Sequence, residues 1–240
     1  MGIIVVSGTG TEIGKTVVTA AVAAAAVAAG RSVAVLKPAQ TGLTAREHGD
    51  ADEVVRLSGA KTSAELARYP EPLAPDTAAR RAGMAPVGPA RTAEAARVLA
   101  EEHDLVLVEG AGGLLVRFDE DGGTLADVAG LLGAPVLVVA PAGLGTLNST
   151  ALTAEALRSR GIEQLGVVVG SWPAAPDLAA LCNLTDLPRV AGAPLLGAIP
   201  EGVGRLEPAA FRAAAADWLA PALGGEWDAG AFTRALGIRP

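Results

Sequence analysis

The chain has 240 residues, 50% of them apolar, with 19 basic against 26 acidic side chains and a formal net charge of −7. That length buries a sizeable core in one or two domains, while the acidic balance argues against nucleic acid or an anionic membrane as main partner, since both select a basic face. The lone cysteine, Cys182, leaves no internal disulfide and suits a reducing compartment.

The start, Met1-Gly2-Ile3-Ile4, lacks the basic stretch of a secretory signal. The longest apolar run, residues 17–30, is mostly alanine and falls short of the roughly 20 residues that span a bilayer. A soluble, cytoplasmic protein is the expectation. Residues 2–6 form a short β-branched run, as in a strand covered on both faces. A glycine-threonine turn follows, then an alanine-rich helix over about 15–29, stopped by Gly30. Residues 33–36 read as a strand ended by Lys37-Pro38, and 39–49 as a polar functional loop. A short helix over 50–57 closes at Gly59. Residues 70–89, rich in proline and alanine, read as the least regular part. A helix is predicted over 91–102 and a strand over 104–108, which runs out on Glu109-Gly110-Ala111-Gly112-Gly113. Then come a helix over 125–132, a strand over 135–140, and a helix over 147–160 with Thr146 or Asn148 near its start. Strands at 165–169 and 195–199 and a helix over 208–219, with Phe211 and Trp218 on one core-facing side, complete the chain. Alternating strands and helices without hairpin signals imply one α/β domain over residues 1–240, a mostly parallel sheet with helices on both faces. Ligands bind such sheets at the carboxyl ends of the strands.

Those ends carry the chemistry. Gly8-Thr9-Gly10-Thr11-Glu12-Ile13-Gly14-Lys15-Thr16 lies between a strand and a helix. A triphosphate needs inward backbone N–H groups, a helix N-terminus, a lysine for the β/γ oxygens and a hydroxyl for Mg²⁺, and this loop supplies each. The strict phosphate-loop pattern puts its first glycine at position 9, where Thr9 stands; Gly8 and Gly10 flank it and are candidates for the same job. The plainer alternative is a glycine-rich turn without a ligand. Glu109 ends an apolar strand, the usual place for a carboxylate that holds Mg²⁺ beside such a loop; alone, it is a solvated carboxylate in a turn. Lys37 opens Lys37-Pro38-Ala39-Gln40-Thr41-Gly42, where a lysine can neutralise charge on a transferred phosphoryl group or simply end a strand at the surface. Only Lys15, Lys37 and Lys61 are lysines in a chain that otherwise uses arginine, which favours a functional part for Lys37; Lys61 reads as an ordinary surface residue. By spacing alone, Gly145-Thr146-Leu147-Asn148 is a capped helix start.

Taken in order, these blocks, with Val108-Glu109-Gly110-Ala111-Gly112-Gly113 and Pro194-Leu195-Leu196-Gly197-Ala198-Ile199-Pro200, resemble the dethiobiotin synthetase family from residue 3 to about 201. The resemblance implies a P-loop NTPase-like fold and a homodimeric, Mg²⁺-dependent ligase of biotin synthesis. Such enzymes join 7,8-diaminononanoate to CO₂, using ATP or another nucleoside triphosphate, through a carbamate and a carbamic–phosphoric anhydride. It further implies that Lys15 and Lys37 flank the γ-phosphate and carbamate, with Thr11 and Thr41 donating hydrogen bonds, so Lys37, Lys15 and Thr11 are the catalytic candidates. Gly10, Thr11, Glu12, Ile13, Gly14, Lys15, Thr16 and Val17 would hold the phosphates, and Gly170, Ser171, Pro200 and Glu201 would border the base. Thr16, Glu109 and Asp50, with Asp52 as the fallback, would hold Mg²⁺. Glu12 would meet the diamine end of the substrate, and Lys37, Thr41, Gly112 and Gly113 its reacting part. Gly145, Thr146, Leu147 and Asn148 would meet its distal carboxylate from the partner subunit.

The chain departs from many relatives at one place. Where they carry an asparagine that reads adenine, this chain has Gly170-Ser171-Trp172, so a relaxed or different base preference is expected. Partition and division-site ATPases share the general fold, but carry a signature lysine where Gly10 stands here. Cobyrinate-type amide synthases need a glutaminase domain with a cysteine nucleophile, for which 240 residues and one cysteine leave no room. His48 reads as a solvated loop residue, His103 as a helix-end cation and Cys182 as a semi-buried structural thiol.

Overall fold

In the computed structural model, which describes residues 2–238, the first apolar run forms β1 (Gly2–Gly8). It leads through the glycine-rich loop into α1 (Lys15–Ala28). Then follow β2 (Val33–Lys37), β3 (Gln40–Thr41), α2 (Asp50–Ser58), β4 (Thr62–Glu65), β5 (Arg68–Tyr69), α3 (Pro75–Ala82) and α4 (Pro89–Glu102). The second half comprises β6 (Leu105–Glu109), α5 (Leu125–Leu132), β7 (Val136–Ala140), α6 (Thr146–Ser159), β8 (Gln164–Trp172), α7 (Leu178–Ala191), β9 (Leu195–Pro200), α8 (Pro208–Ala214) and α9 (Ala229–Ala235).

Seven strands make one sheet in the order β4-β2-β6-β1-β7-β8-β9, and every pairing in it is parallel. Parallel neighbours need crossovers, which here are helices, so both faces are covered. That is why β2, β6 and β7 are buried at every residue and why their sequences run apolar without alternation. One face packs against α1, α2 and α8, with α1 contributing a row of buried alanines that lets the helix lie close to the sheet. The other face packs against α4 and α5, and α7 covers β8 and β9. Because β6 lies between β2 and β1, its last residue, Glu109, emerges between Lys37 and the loop after β1, in register with Val6. A separate two-stranded parallel sheet, β3 with β5, sits beside these ends.

Several elements differ from the sequence reading. Residues 70–89 contain a regular helix, α3, with Pro75 in its first turn and Gly83 left-handed at its end; proline there starts a helix rather than breaking one. Helix α7, held at its start by Asp177 accepting from Ala180 N, was not expected, and neither were α9, β4 or the β3/β5 pair. The helix expected over 208–219 stops at Ala214 and continues as a 3₁₀ turn, Ala215–Trp218. Phe211 and Trp218 are core residues in edge-on contact at 5.2 Å, but from two consecutive elements rather than one helical face. At α6 the cap is Gly145, left-handed at φ 87°, and neither Thr146 nor Asn148 caps with its side chain. Cys182 is exposed, not semi-buried, because it falls on the outer side of α7. His103 does end α4, with its ring between Leu99 O and Thr62 Oγ1, and Lys61 and His48 are exposed. No helix among the described residues is long and apolar enough to cross a membrane.

Candidate functional site

The glycine-rich loop leaves β1 and turns into α1 on a tight backbone. Gly14, the N-cap of α1, is left-handed, and a Cβ on it would lie 2.2 Å from Gly170 O at the end of β8. Glu12 is the only non-glycine at positive φ among the described residues, at 58°. Of the two glycines flanking position 9, Gly8 is the more crowded: a Cβ there would lie 2.6 Å from the tip of the Ile13 side chain and 3.3 Å from Gly10 O. Gly10 is sterically open but supplies the carbonyl to which Lys15 Nζ donates at 2.7 Å. Thr9 carries the sheet pattern on, its N–H donating to Val139 O. Burial lowers the Lys15 pKa, and the nearby Lys37 charge lowers it further, against the pull of Glu109 and Asp50.

Beside the loop, Lys37 is buried with all three of its ammonium donors used. Nζ donates to Asp50 Oδ2 at 2.5 Å, to Glu109 Oε1 at 2.9 Å and to Gly110 O at 3.2 Å. Burial opposes its charge, but Glu109 and Asp50 outweigh that, and the pKa is raised. Thr16 Oγ1 donates to the same Glu109 oxygen at 3.0 Å. The other oxygen, Glu109 Oε2, is buried with no hydrogen-bond partner among the described residues. So Thr16, Lys37, Asp50 and Glu109 converge from four elements, and the unpartnered carboxylate oxygen keeps its full capacity to accept a donor or a cation. Asp52 is engaged elsewhere: Oδ2 accepts from Gly49 N at 3.0 Å and lies 3.8 Å from Arg68. Among the described residues no group of three or more His, Cys, Asp or Glu gathers.

These residues floor a cavity of about 550 Å³ that also touches Thr11, Glu12, Ile13, Gly14, Lys15, Gln40, Thr41 and Gly112. Its far wall, Pro72 to Pro75, leads into α3; this stretch looks irregular in sequence, although a proline at a helix start is a usable signal. Gly113 lines a neighbouring hollow with Gly8, Leu115 and Leu152 instead. Val17 packs on the core behind the loop. Gly145, Thr146, Leu147 and Asn148 open α6 away from this cavity, with Thr146 buried and Asn148 exposed. Gly170 is buried against the loop, while Ser171, Pro200 and Glu201 lie at the ends of β8 and β9, outside the cavity lining. Glu201 N donates to Trp172 O, and its carboxylate accepts from Ala174 N, so that corner is closed on itself.

Residues 3–203 match the family described as AAA domain. The chain is 72% identical over 232 residues to the ATP-dependent dethiobiotin synthetase BioD of Streptomyces coelicolor, covering 97% of this chain and 98% of that one. It is 70% identical over 227 residues to the protein of the same name from Saccharopolyspora erythraea, covering 95% and 99%. Among solved structures, the MinC:MinD cell division protein complex of Aquifex aeolicus matches with a TM-score of 0.54 at 15% identity, over 90% of this chain and 86% of that one, a likeness of fold alone.

Proposed function

The chain belongs to the ATP-dependent dethiobiotin synthetase family, a family of ligases of biotin biosynthesis, and on that premise we propose how its cavity carries out the reaction. The reaction joins 7,8-diaminononanoate to CO₂ and closes the ureido ring of dethiobiotin, driven by a nucleoside triphosphate. One amine of the substrate takes up CO₂ and loses a proton to give a carbamate. A carbamate oxygen then takes the γ-phosphoryl group, giving a carbamic–phosphoric anhydride and a nucleoside diphosphate. The second amine attacks the carbonyl carbon and expels phosphate.

Phosphoryl transfer of this kind needs positioning and charge neutralisation more than a protein nucleophile. In this reading Gly10 to Val17 bind the phosphates, and Lys15 swings from Gly10 O onto the γ-phosphate. Lys37 faces the carbamate and the transferred group, Thr11 and Thr41 donate hydrogen bonds, and Glu12 holds the amine end. Thr16, Asp50 and Glu109 offer the hard oxygen donors that Mg²⁺ takes, and the unpartnered Glu109 Oε2 fits such a cation. Mg²⁺ keeps waters and phosphate oxygens, so it does not require a third carboxylate, and Asp52, turned toward Gly49 N, is set aside in favour of Asp50. When bound, the ion neutralises charge on the β- and γ-phosphates.

The observation that carries the reading is Lys37 held at 2.5 and 2.9 Å by Asp50 and Glu109 beside the Lys15 loop. The test is product analysis with diaminononanoate, ¹⁸O-labelled bicarbonate, Mg²⁺ and nucleoside triphosphate. Dethiobiotin is expected, with label carried into the released phosphate. Dethiobiotin with unlabelled phosphate would exclude the anhydride, and no dethiobiotin under any nucleotide would exclude the reaction.

The base preference follows from Gly170. A Cβ there would lie 2.0 Å from Ile13 O, so an adenine-reading amide has no room unless the loop moves. We therefore read Gly170, Ser171, Pro200 and Glu201 as a permissive base site; competition among nucleoside triphosphates tests it, and strict ATP selectivity would refute it. The family resemblance implies that Gly145 to Asn148 meet the substrate carboxylate from a second copy, and their place outside this chain's own cavity lining is compatible with that. From the same resemblance the enzyme is read as one domain per chain over 1–240 and a cytoplasmic homodimer, working on small molecules without nucleic acid or membrane.

A further inference from the structure

Helix α2 begins with Asp50, and its own capping is partial: Asp52 Oδ2 accepts from the Gly49 N–H, but nothing within the helix serves the Asp50 N–H. Its N-cap is Gly49, which carries no side chain. The first N–H of the helix belongs to Asp50, and it is taken by a residue ten positions earlier: Asp50 N donates to Gln40 Oε1 at 2.9 Å. Gln40 is 5% exposed, and its Nε2 donates to Thr41 O at 3.3 Å, which turns the side-chain carbonyl toward Asp50. The residue is itself firmly seated. Gln40 N donates to Ala67 O, β3 pairs with β5, and the fully buried Tyr69 of β5 donates its hydroxyl to Ala85 O.

The surroundings are built for this contact. A Cβ on Gly49 would lie 2.8 Å from Arg68 Nη2, 3.0 Å from Glu65 Oε2 and 3.2 Å from Gln40 Oε1, so a side chain able to cap from position 49 would displace the external one. Arg68 also donates to the carbonyls of Thr44 and Glu47, fixing the loop that delivers Gly49.

We infer that Gln40 is a positioning residue, which caps α2 from the β3/β5 sheet and thereby sets the Asp50 carboxylate opposite Glu109 and Thr16 for the cation. The inference rests on the reading of Asp50 as a Mg²⁺ ligand. Gln40→Met keeps length and burial but cannot accept the hydrogen bond, whereas Gln40→Glu keeps an acceptor oxygen. In the nucleotide-free protein, the Asp50 amide of Gln40→Met is expected to exchange with solvent about tenfold faster, the scale of losing one helix cap. Mg²⁺ affinity, titrated calorimetrically into the ADP-bound protein, is expected to fall by a similar factor, about tenfold. Turnover should recover at high Mg²⁺, and Gln40→Glu should restore the protection of Asp50. A Met variant with native Mg²⁺ affinity, or one whose turnover falls equally at all Mg²⁺ concentrations, overturns the inference. If Gln40→Met does not fold, the native protein still decides: an Asp50 amide exchanging as fast as an unstructured one overturns it. A native protein that turns over without any divalent cation refutes the ligand reading instead, which is a separate and distinguishable result.

Discussion

Among the described residues, Lys37 is the only cation within hydrogen-bond reach of two carboxylates in the cavity, and it is almost fully buried between them. A buried charge is tolerated only when paired, and truncating one partner leaves the other exposed to the full desolvation penalty, on the order of 3–5 kcal/mol. Lys37→Ala is therefore expected to lower thermal stability, because Glu109 at 1% exposure loses its counter-ion. Mg²⁺ should raise the unfolding midpoint of this variant more than that of the native protein, since a ligand that binds only the folded state stabilises it by mass action. If Lys37 also neutralises charge that develops during phosphoryl transfer, kcat should fall by about 10²–10³ with little change in nucleotide affinity. Loss of nucleotide binding at normal turnover would contradict that role. Glu12 offers the converse case. Its left-handed backbone at φ 58° costs about 1–2 kcal/mol for a residue with a side chain. Glu12→Gly is expected to raise the unfolding midpoint while raising KM for the diamine, and an unchanged KM would remove Glu12 from the substrate site.

At the amino ends of the strands, far from the cavity, Asp104 and Ser32 clasp the starts of β6 and β2 to each other. Ser32 N and Oγ donate to Asp104 Oδ2 at 2.9 and 2.7 Å, and Asp104 N donates back to Ser32 Oγ at 2.9 Å. The backbone hydrogen bond from Ser32, then that from its side chain, lowers the Asp104 pKa. A carboxylate with a depressed folded pKa contributes stability above its unfolded value, about 3.9, and loses it as pH falls through the folded value. Asp104→Ala should therefore lower the urea midpoint at pH 7, and the gap to the native protein should narrow from pH 5 to pH 3, with kcat and KM unchanged at neutral pH. A gap independent of pH would remove the ionised carboxylate from the argument. The same strands show what a sequence reveals. β1, β2, β6 and β7 are legible as uninterrupted apolar runs because both of their faces are covered, and the ends of α1, α2 and α5 are legible because Gly30, Gly59 and Gly133 are left-handed. The helices α3 and α7 were hidden by prolines that start or sit within them, and two-residue strands such as β3 and β5 have no period to detect. In the site, Lys15, Lys37 and Glu109 could be read because each stands at a strand or loop end with a chemical reason to be there. Asp50 and Asp52 share one helical turn, and spacing does not separate them; the family pattern prefers Asp50, and the bond from Gly49 N to Asp52 supports that preference. The cap from Gln40 and the wall at Pro72 to Pro75 arise from tertiary contacts that no local pattern encodes.

On the scale of the whole molecule, exposed apolar side chains occur on several elements, Val98, Leu131 and Leu178 among them, but two others share one hollow beside the cavity. Leu115 and Leu152 line the hollow that adjoins it and are 45% and 58% exposed, and Leu144, just ahead of α6, is 89% exposed. Single exposed leucines need no explanation, whereas Leu115 and Leu152 at one hollow make it a candidate contact surface. This is also the face that presents Gly145 to Asn148, the segment that does not reach its own chain's cavity. If two copies meet here, each would complete the other's substrate site, and dimerisation would be coupled to diamine binding rather than to nucleotide binding. Leu152→Glu places a charge on that surface, beside Gly8 and Thr9 but away from Gly10 to Val17, Lys37 and Asp50, which are read as holding the phosphates and the cation. Sedimentation is expected to shift from dimer toward monomer, and KM for the diamine should rise by about tenfold or more, the effect of losing one carboxylate contact. The dissociation constant for nucleotide should stay within about twofold of native, because no phosphate ligand has moved. A variant that remains dimeric places the interface elsewhere. One that becomes monomeric yet keeps the native diamine KM separates the interface from the substrate site, and Gly145 to Asn148 would then be an ordinary helix start.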